Sequence, residues 1–394
     1  MIRKYYFILL LFFFFLPTKA QFQLSENAEI SIVTAGPGKE LYEAFGHSAI
    51  RIKDPDLNLD LIYNYGVFDF NRPNFYTNFA QGNMIYSLAR YDFKYFLASY
   101  KRDKRWLKQQ ILNLTQQEKN AYFSFLENNA LPNNRDYLYD PYFDNCATKL
   151  RDITKMVLGN KVAFKDDYLK EKSTFRELTN HEIHWNTWGS LGLNLIAGIK
   201  LDKKAKSDEY LFLPDYTFKA FKNAKITSKN SIQNLVKKEE VLLNFKESEP
   251  KTEIYNPFLI FSLFTFFGIF ITYRDCKKKK RSRLFDFVLF FTTGLIGCIL
   301  FFLWFFSSHS TAPNNFNILW AFPVNLLVSF FVLKKNIKSQ LLQNYIKFLL
   351  ILIMAIPLLW GIKIQDYPTA ILPLLLLLVV RYYLLSKNLL TFKK

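Results

Sequence analysis

From Asn256 to Leu385 the chain is a succession of apolar runs joined by short loops. That pattern leaves few choices of fold. Hydrocarbon offers no partner for a backbone amide, so a lipid-embedded run must be helical, and a helix needs roughly 17–25 residues to cross a bilayer. Five runs have about that length: Asn256–Tyr273, Phe285–Phe306, Phe316–Leu333, Tyr345–Ile362 and Pro368–Leu385. The loops between them differ in charge. Arg274–Arg283 reads RDCKKKKRSR, whereas SSHSTAPNNF after the second run has no Lys or Arg. Lys334–Asn344 carries three lysines, Lys363–Tyr367 sets one lysine against Asp366, and the tail ends in Lys393-Lys394. Positive loops stay on the cytoplasmic side. The expected topology puts Arg274–Arg283, Lys334–Asn344 and the C-terminus in the cytoplasm, and Gln21–Tyr255 outside. Much of the formal net charge of +19 is accounted for by these loops, which argues against a nucleic-acid partner. Arg381 falls near the cytoplasmic end of the last run, where a long side chain can snorkel, so it reads as an anchor.

The N-terminus gives the same orientation independently. Arg3 and Lys4 precede a short apolar stretch, Tyr5–Leu16, which Pro17 breaks before Thr18-Lys19-Ala20. This is the order of parts in a secretory signal peptide cleaved near Ala20. The expected organisation is a signal peptide over 1–20, an exported domain over 21–243, a charged linker over 244–255 that includes KESEPK, and an all-α membrane bundle over 256–394 in the inner membrane.

The exported segment is long enough for one domain with a sizeable core. EISIVTAG (Glu29–Gly36), HSAIRIKD (His47–Asp54) and DLIYNYGVFDF (Asp60–Phe70) alternate like strands, the last two as an antiparallel hairpin around Asp54-Pro55-Asp56. His47, Ala49 and Arg51 share one face of their strand, and Ile50 and Ile52 the other. Asp92–Ala130 reads as helix-rich, with a helix starting at the capping box Thr115…Glu118. CATKLRDITKMVLG reads as a helix from Cys146 that ends at Gly159. The domain is therefore expected to be α+β.

Of three cysteines, only Cys146 lies in the exported segment, so it has no internal disulfide partner there. It stands at the start of a helix, where free amides and the dipole favour a thiolate. A reactive thiol and a small buried hydrophobe both fit that position. Cys276 and Cys298 lie beside or within apolar runs, away from any base, and read as inert. A thiol nucleophile needs an imidazole in reach, and the exported histidines are His47, His181 and His184. His47 opens a strand about 100 residues before the Cys helix; in papain-like enzymes the Cys comes first.

FGHSAIRI…YNYG…DNCATKL resembles the circularly permuted papain-like thiol enzymes of the NlpC/P60 class. Together with FLPDY (Phe212–Tyr216) and the terminal membrane bundle, the chain resembles the Lnb-type lipoprotein N-acyltransferases of Bacteroidota. The resemblance covers most of the mature chain. It implies a permuted papain-like domain with Cys146 as nucleophile and His47 as base. Asn64 would orient the imidazole, with Asp60 as the alternative. It further implies transfer of an acyl chain from a phospholipid, through a Cys146 thioester, to the N-terminal amine of a diacylglyceryl-cysteine lipoprotein, with no metal or organic cofactor. The expected partners are thus the membrane, a phospholipid and a lipoprotein.

Tyr63, Asn145, Arg176 and Trp188 are candidate substrate-binding residues. Tyr63 flanks Asn64, and Asn145 caps the Cys helix. Arg176 is suited to binding a phosphate or pairing with an acid, with a plain surface pair as the simpler reading. Trp188 belongs to HEIHWNTWGS, whose two tryptophans suit a lip against lipid or plain packing better than its two histidines suit a metal site. Two other classes remain open. A membrane-anchored peptidoglycan amidase or thiol protease would use the same Cys–His pair, and a scaffold would use neither.

Overall fold

The computed structural model describes residues 22–389 apart from 170, 229–230, 248–250, 336 and 338. The expected signal peptide and the terminal Lys393-Lys394 lie outside the described residues.

The N-terminal domain begins with β1 (Glu29–Ala35), β2 (His47–Asp54) and β3 (Leu59–Val67), then α1 (Phe75–Gln81), β4 (Ile85–Asp92), α2 (Phe93–Arg102), β5 (Leu107–Leu112), α3 (Gln116–Asn129), β6 (Asp136–Leu138) and α4 (Cys146–Leu158). After a short β7 (Val162–Ala163) come α5 (Phe175–Glu182), α6 (Trp188–Ile196), α7 (Pro214–Asn223), β8 (Lys225–Ser228), β9 (Ser231–Asn234) and β10 (Val236–Leu243). Seven strands form one sheet in the order β10-β5-β1-β2-β3-β4-β6, every neighbouring pair antiparallel. The fold is α+β, as the alternation in the sequence indicates.

The two faces of the sheet carry different layers. Phe93, Phe96 and Tyr100 of α2 pack on Val33, Ala49 and Ile62. On the other face α3 and α4 set Tyr122, Leu126, Leu150 and Ile153 against Ile32, Ile50, Ile52 and Tyr65. This division follows the period-2 pattern of β2, with Ala49 on one side and Ile50 and Ile52 on the other. Thr115 and Glu118 form the capping box at the start of α3, and Gly159 (φ 58°) caps α4.

The stretch from Asp92 to Ala130 is not helical throughout. Leu107–Leu112 (LKQQIL) is β5, wedged between β1 and β10. Its glutamines find partners distant in sequence: Gln109 accepts from Arg51 (2.9 Å) and donates to Glu240 (2.6 Å), and Gln110 donates to Glu239 (2.9 Å). Strand pairing on both sides overrides a helix-compatible local sequence.

The bundle contains α8 (Pro257–Lys278), α9 (Arg283–Phe305), α10 (Asn325–Val332), α11 (Gln340–Gly361) and α12 (Leu372–Asn388). Four of these helices are long and apolar enough to cross a membrane. The run Phe316–Leu333, expected to be a fifth continuous span, is instead a 3-10 turn at Phe316–Leu319, an irregular stretch and the two-turn α10. It still runs the length of α9. The Phe316 ring lies 6.4 Å from that of Trp304 at one end, and Arg281 donates to the carbonyl of Val332 (2.7 Å) at the other. Irregular backbone at membrane depth is tolerated where protein covers it. Here α9 supplies glycines where the backbones touch: a Cβ on Gly294 would sit 2.0 Å from Leu326 N, and one on Gly297 2.0 Å from Ala321 O.

Arg381 does not snorkel. It is fully buried on α12; its Nε donates to Asp286 (2.7 Å) and an Nη to Asp275 (2.9 Å). Arg281 also bonds Asp286 (3.0 Å). The two carboxylates on α8 and α9 sit opposite Arg381, so pairing inside the bundle replaces solvation at its edge.

The N-terminal domain rests on the other end of the bundle. Leu191 of α6 joins the bundle core, Asn315 donates to Leu195 O (2.7 Å), and Asp366 N donates to Asp202 (3.1 Å).

Arg381→Leu leaves two buried carboxylates short of their partner, which costs about 3–5 kcal/mol. We expect a marked loss of melting temperature for the detergent-solubilised full chain, whereas a snorkelling arginine would tolerate the change.

Candidate active site

His47 is the first residue of β2 and lies on the face covered by α2, its ring 6.3 Å from that of Phe96. Asn64 of β3 shares that face. Its Oδ1 lies 2.6 Å from His47 Nε2, and its Nδ2 donates to the Tyr91 hydroxyl (3.2 Å). An Asn carbonyl at Nε2 holds the proton there and leaves Nδ1 free to face a second group.

Cys146 comes from the opposite layer as the first residue of α4. Asn145 caps that helix, accepting from the amides of Ala147 (2.9 Å) and Thr148 (3.0 Å). Its own Nδ2 donates to Pro141 O and Phe212 O (2.8 Å each). Gly66 lets the two layers meet at the end of the sheet. Its φ is +87°, where a side chain is strained, and a Cβ there would lie 3.7 Å from Cys146 Cβ and 3.4 Å from the Tyr139 ring.

Burial pushes the Cys146 thiol up, but the His47 charge and hydrogen bonding to His47 and to the amides of Ser48 and Ala147 outweigh it and hold the thiol below its ordinary value. Burial pushes His47 down, yet the Cys146 charge and the bonds to Cys146 and Asn64 outweigh that, and the imidazole lies above its ordinary value; Arg105 opposes the rise. Thiolate and imidazolium stabilise each other in a site where the cysteine is 8% exposed. Such a pair can attack a carbonyl carbon and return a proton to a leaving group.

Of the candidate residues, the structure brings together Cys146, His47, Asn64 and the cap Asn145. Asp60 lies elsewhere, in a two-pronged pair with Arg51 (2.7 Å each). Tyr63 is fully buried and donates to Glu127 (2.5 Å), tying β3 to α3 and offering a substrate no surface. Arg176 is also buried. Its guanidinium clasps Asp202 (2.8 and 3.0 Å) and bonds Asn194, Ala197 and Gly198, so no donor is left for a phosphate. Trp188 is nearly half exposed, donates to Tyr255 O (2.8 Å) and meets Phe261, while Trp185 meets Phe258. Both tryptophans thus clasp the start of α8.

Sequence reasoning missed Tyr137. Among the described residues its buried hydroxyl has no hydrogen-bond partner, and it lies 3.9 Å from the Cβ position of Gly66, the same point that Cys146 approaches. A buried unpaired hydroxyl is costly, and a developing oxyanion beside the thiol would satisfy it. The clue was the run of tyrosines in DYLYDPYFDN just before the cysteine.

Fold and site together define a membrane-anchored protein whose α+β domain carries a buried Cys–His–Asn constellation. Residues 17–181 match the family model for the Lnb N-terminal periplasmic domain, and residues 249–394 match that for the Lnb transmembrane domain. The chain belongs to the Lnb family, with a periplasmic N-terminal domain followed by a transmembrane one. Neither a curated protein nor a solved structure matches it.

The lowered thiol pKa predicts that alkylation of Cys146 by iodoacetamide stays fast as pH falls below about 8.5, the ordinary thiol value. It should slow only as pH passes through the lowered value. His47→Ala should return the midpoint toward the ordinary range, measured by mass spectrometry of the alkylated peptide.

Proposed function

We propose that this protein is a lipoprotein N-acyltransferase that works through a Cys146 thioester. The observation carrying this reading is the placement of His47, held by Asn64 at 2.6 Å, beside Cys146 at the start of α4. Membership of the Lnb family supports it, as does the seating of the domain on a membrane bundle, since both substrates are lipids. The order His-strand before Cys-helix reads as the papain arrangement permuted.

In the first half-reaction Cys146 Sγ bonds to the acyl carbon of a phospholipid ester. The ester C–O bond breaks, and the leaving oxygen takes the proton from His47. In the second, the α-amine of a diacylglyceryl-cysteine lipoprotein attacks the thioester carbonyl. The C–N bond forms, the C–S bond breaks, and the amine proton passes to His47, restoring the pair. The Tyr137 hydroxyl, which approaches the same Gly66 position as Cys146, would donate to the charge that develops on the carbonyl oxygen. No cofactor enters either half.

Mass spectrometry of lipoprotein N-termini tests the reading. Cells carrying Cys146→Ala or His47→Ala as the sole copy should lose one N-linked acyl chain while the protein itself persists. Unchanged acylation would sink the proposal and turn attention to cell-wall hydrolysis. Tyr137→Phe should slow acyl transfer by roughly 10²-fold, as expected for loss of one oxyanion donor, with Cys146 alkylation unchanged.

A further inference from the structure

The helix α1 is unusual for a soluble domain. None of its residues is fully buried, yet it carries Phe75, Tyr76 and Phe79, and Phe70 just ahead of it is more than half exposed. A contiguous exposed apolar patch on a folded protein marks a place where something apolar binds.

The rings form a continuous band. Tyr139 stacks on Tyr86 (4.3 Å), Tyr86 meets Phe68 (5.2 Å), Phe68 meets Phe75 (6.4 Å), Phe75 stacks on Phe79 (6.2 Å), and Phe79 meets His309 (6.3 Å). One end of the band is the thiol, for Tyr139 and Cys146 both approach the bare Cα of Gly66. The other end is the bundle. Ser308 N donates to Gln81 O (2.7 Å), and His309 Nε2 lies 2.9 Å from Phe79 O. Ser308 and His309 follow directly on α9, whose last exposed side chains there include Phe302, Phe305 and Phe306. Apolar surface therefore continues from the near end of a membrane helix to the nucleophile.

We propose that this band holds the fatty acyl chain of a membrane lipid ester and leads it from the bundle to Cys146. The proposal rests on the acyl-transfer reading. The chemistry of the band selects this occupant. It offers ring faces and edges, and Arg72, which lines a small depression beside Phe75 and Phe79, is already paired with Asp136. An extended peptide would need backbone partners that a row of rings does not supply, whereas an alkyl chain needs only apolar contact. Phe70, Tyr76 and Phe79, each about half exposed or more, would bury apolar surface against a bound chain.

The test uses the full-length protein in phosphatidylethanolamine vesicles with palmitoyl chains, and separately p-nitrophenyl acetate in water. The readout is the acyl adduct on Cys146 by peptide mass spectrometry. Phe75→Asn and Phe70→Asn should lower palmitoylation at least tenfold while acetylation stays within twofold of the parent. Palmitoylation at the parental rate overturns the proposal. Equal loss with both donors also overturns it, since the rings would then support the site and not the chain. If the parent is acetylated but never acylated from lipid, the acyl-transfer reading falls and the proposal with it.

Discussion

The side chain of Asn145 determines where α4 begins, and the site depends on that position. Its oxygen takes the two amides that would otherwise be free at the helix start, and its nitrogen reaches the carbonyls of Pro141 and Phe212. An N-cap of this kind contributes about 1 kcal/mol on its own. This one does more, because it ties the helix start to the preceding loop and to the segment leading into α7. A helix starting one residue later would rotate Cys146 by about 100° away from His47, since 3.6 residues make a turn. The same meeting point holds Gly66, whose φ of +87° would strain a side chain.

His47, Asn64 and Cys146 were legible because each sits at a point where local sequence dictates geometry. A strand start, an alternation and a capped helix start all involve neighbours in the chain. The choice of Asn64 over Asp60 needed the structure, because both belong to one strand and share a face. Arg51 decided it by pairing with Asp60. The choice of an acid over a phosphate for Arg176, and the role of Tyr63, were not legible for the converse reason. Their partners, Asp202 and Glu127, lie 26 and 64 residues away, and no local pattern reveals that a guanidinium or a hydroxyl is already satisfied. The strand Leu107–Leu112 was hidden in the same way, since β10, which flanks it, comes from the far end of the domain.

The membrane half was readable in its layout and misleading in its detail. Hydropathy locates apolar segments but does not report helical continuity, and Phe316–Leu333 keeps its apolar character while its helix is broken. The two glycines of α9 that accommodate the break look unremarkable in a lipid-facing run. Arg381 shows the limit more sharply. Position near a membrane edge argues for snorkelling only when no carboxylate faces inward, and Asp275 and Asp286 reach it from two other helices. This network joins α8, α9 and α12 at the end of the bundle away from the N-terminal domain. The near end is thereby left to the loops that touch α1 and α6.

Arg105 adds a small opposing charge to the electrostatics of the site. It is nearly buried, donates to Gly36 O (2.9 Å), pairs with Glu43 (3.2 Å) and lies over the Tyr100 ring. Its charge opposes protonation of His47, while Cys146 and Asn64 favour it. An acyl transfer asks two things of this imidazole. It must hold a proton firmly enough to keep the sulfur ionised, yet give that proton to an alkoxide and later take one from an amine. A thiolate alone would push the imidazole toward permanent protonation, which suits the first demand and defeats the second. The charge of Arg105 opposes that rise slightly, as the smallest of the influences on the imidazole. In the acyl transfer proposed above, one histidine would serve as acid in the first half-reaction and as base in the second.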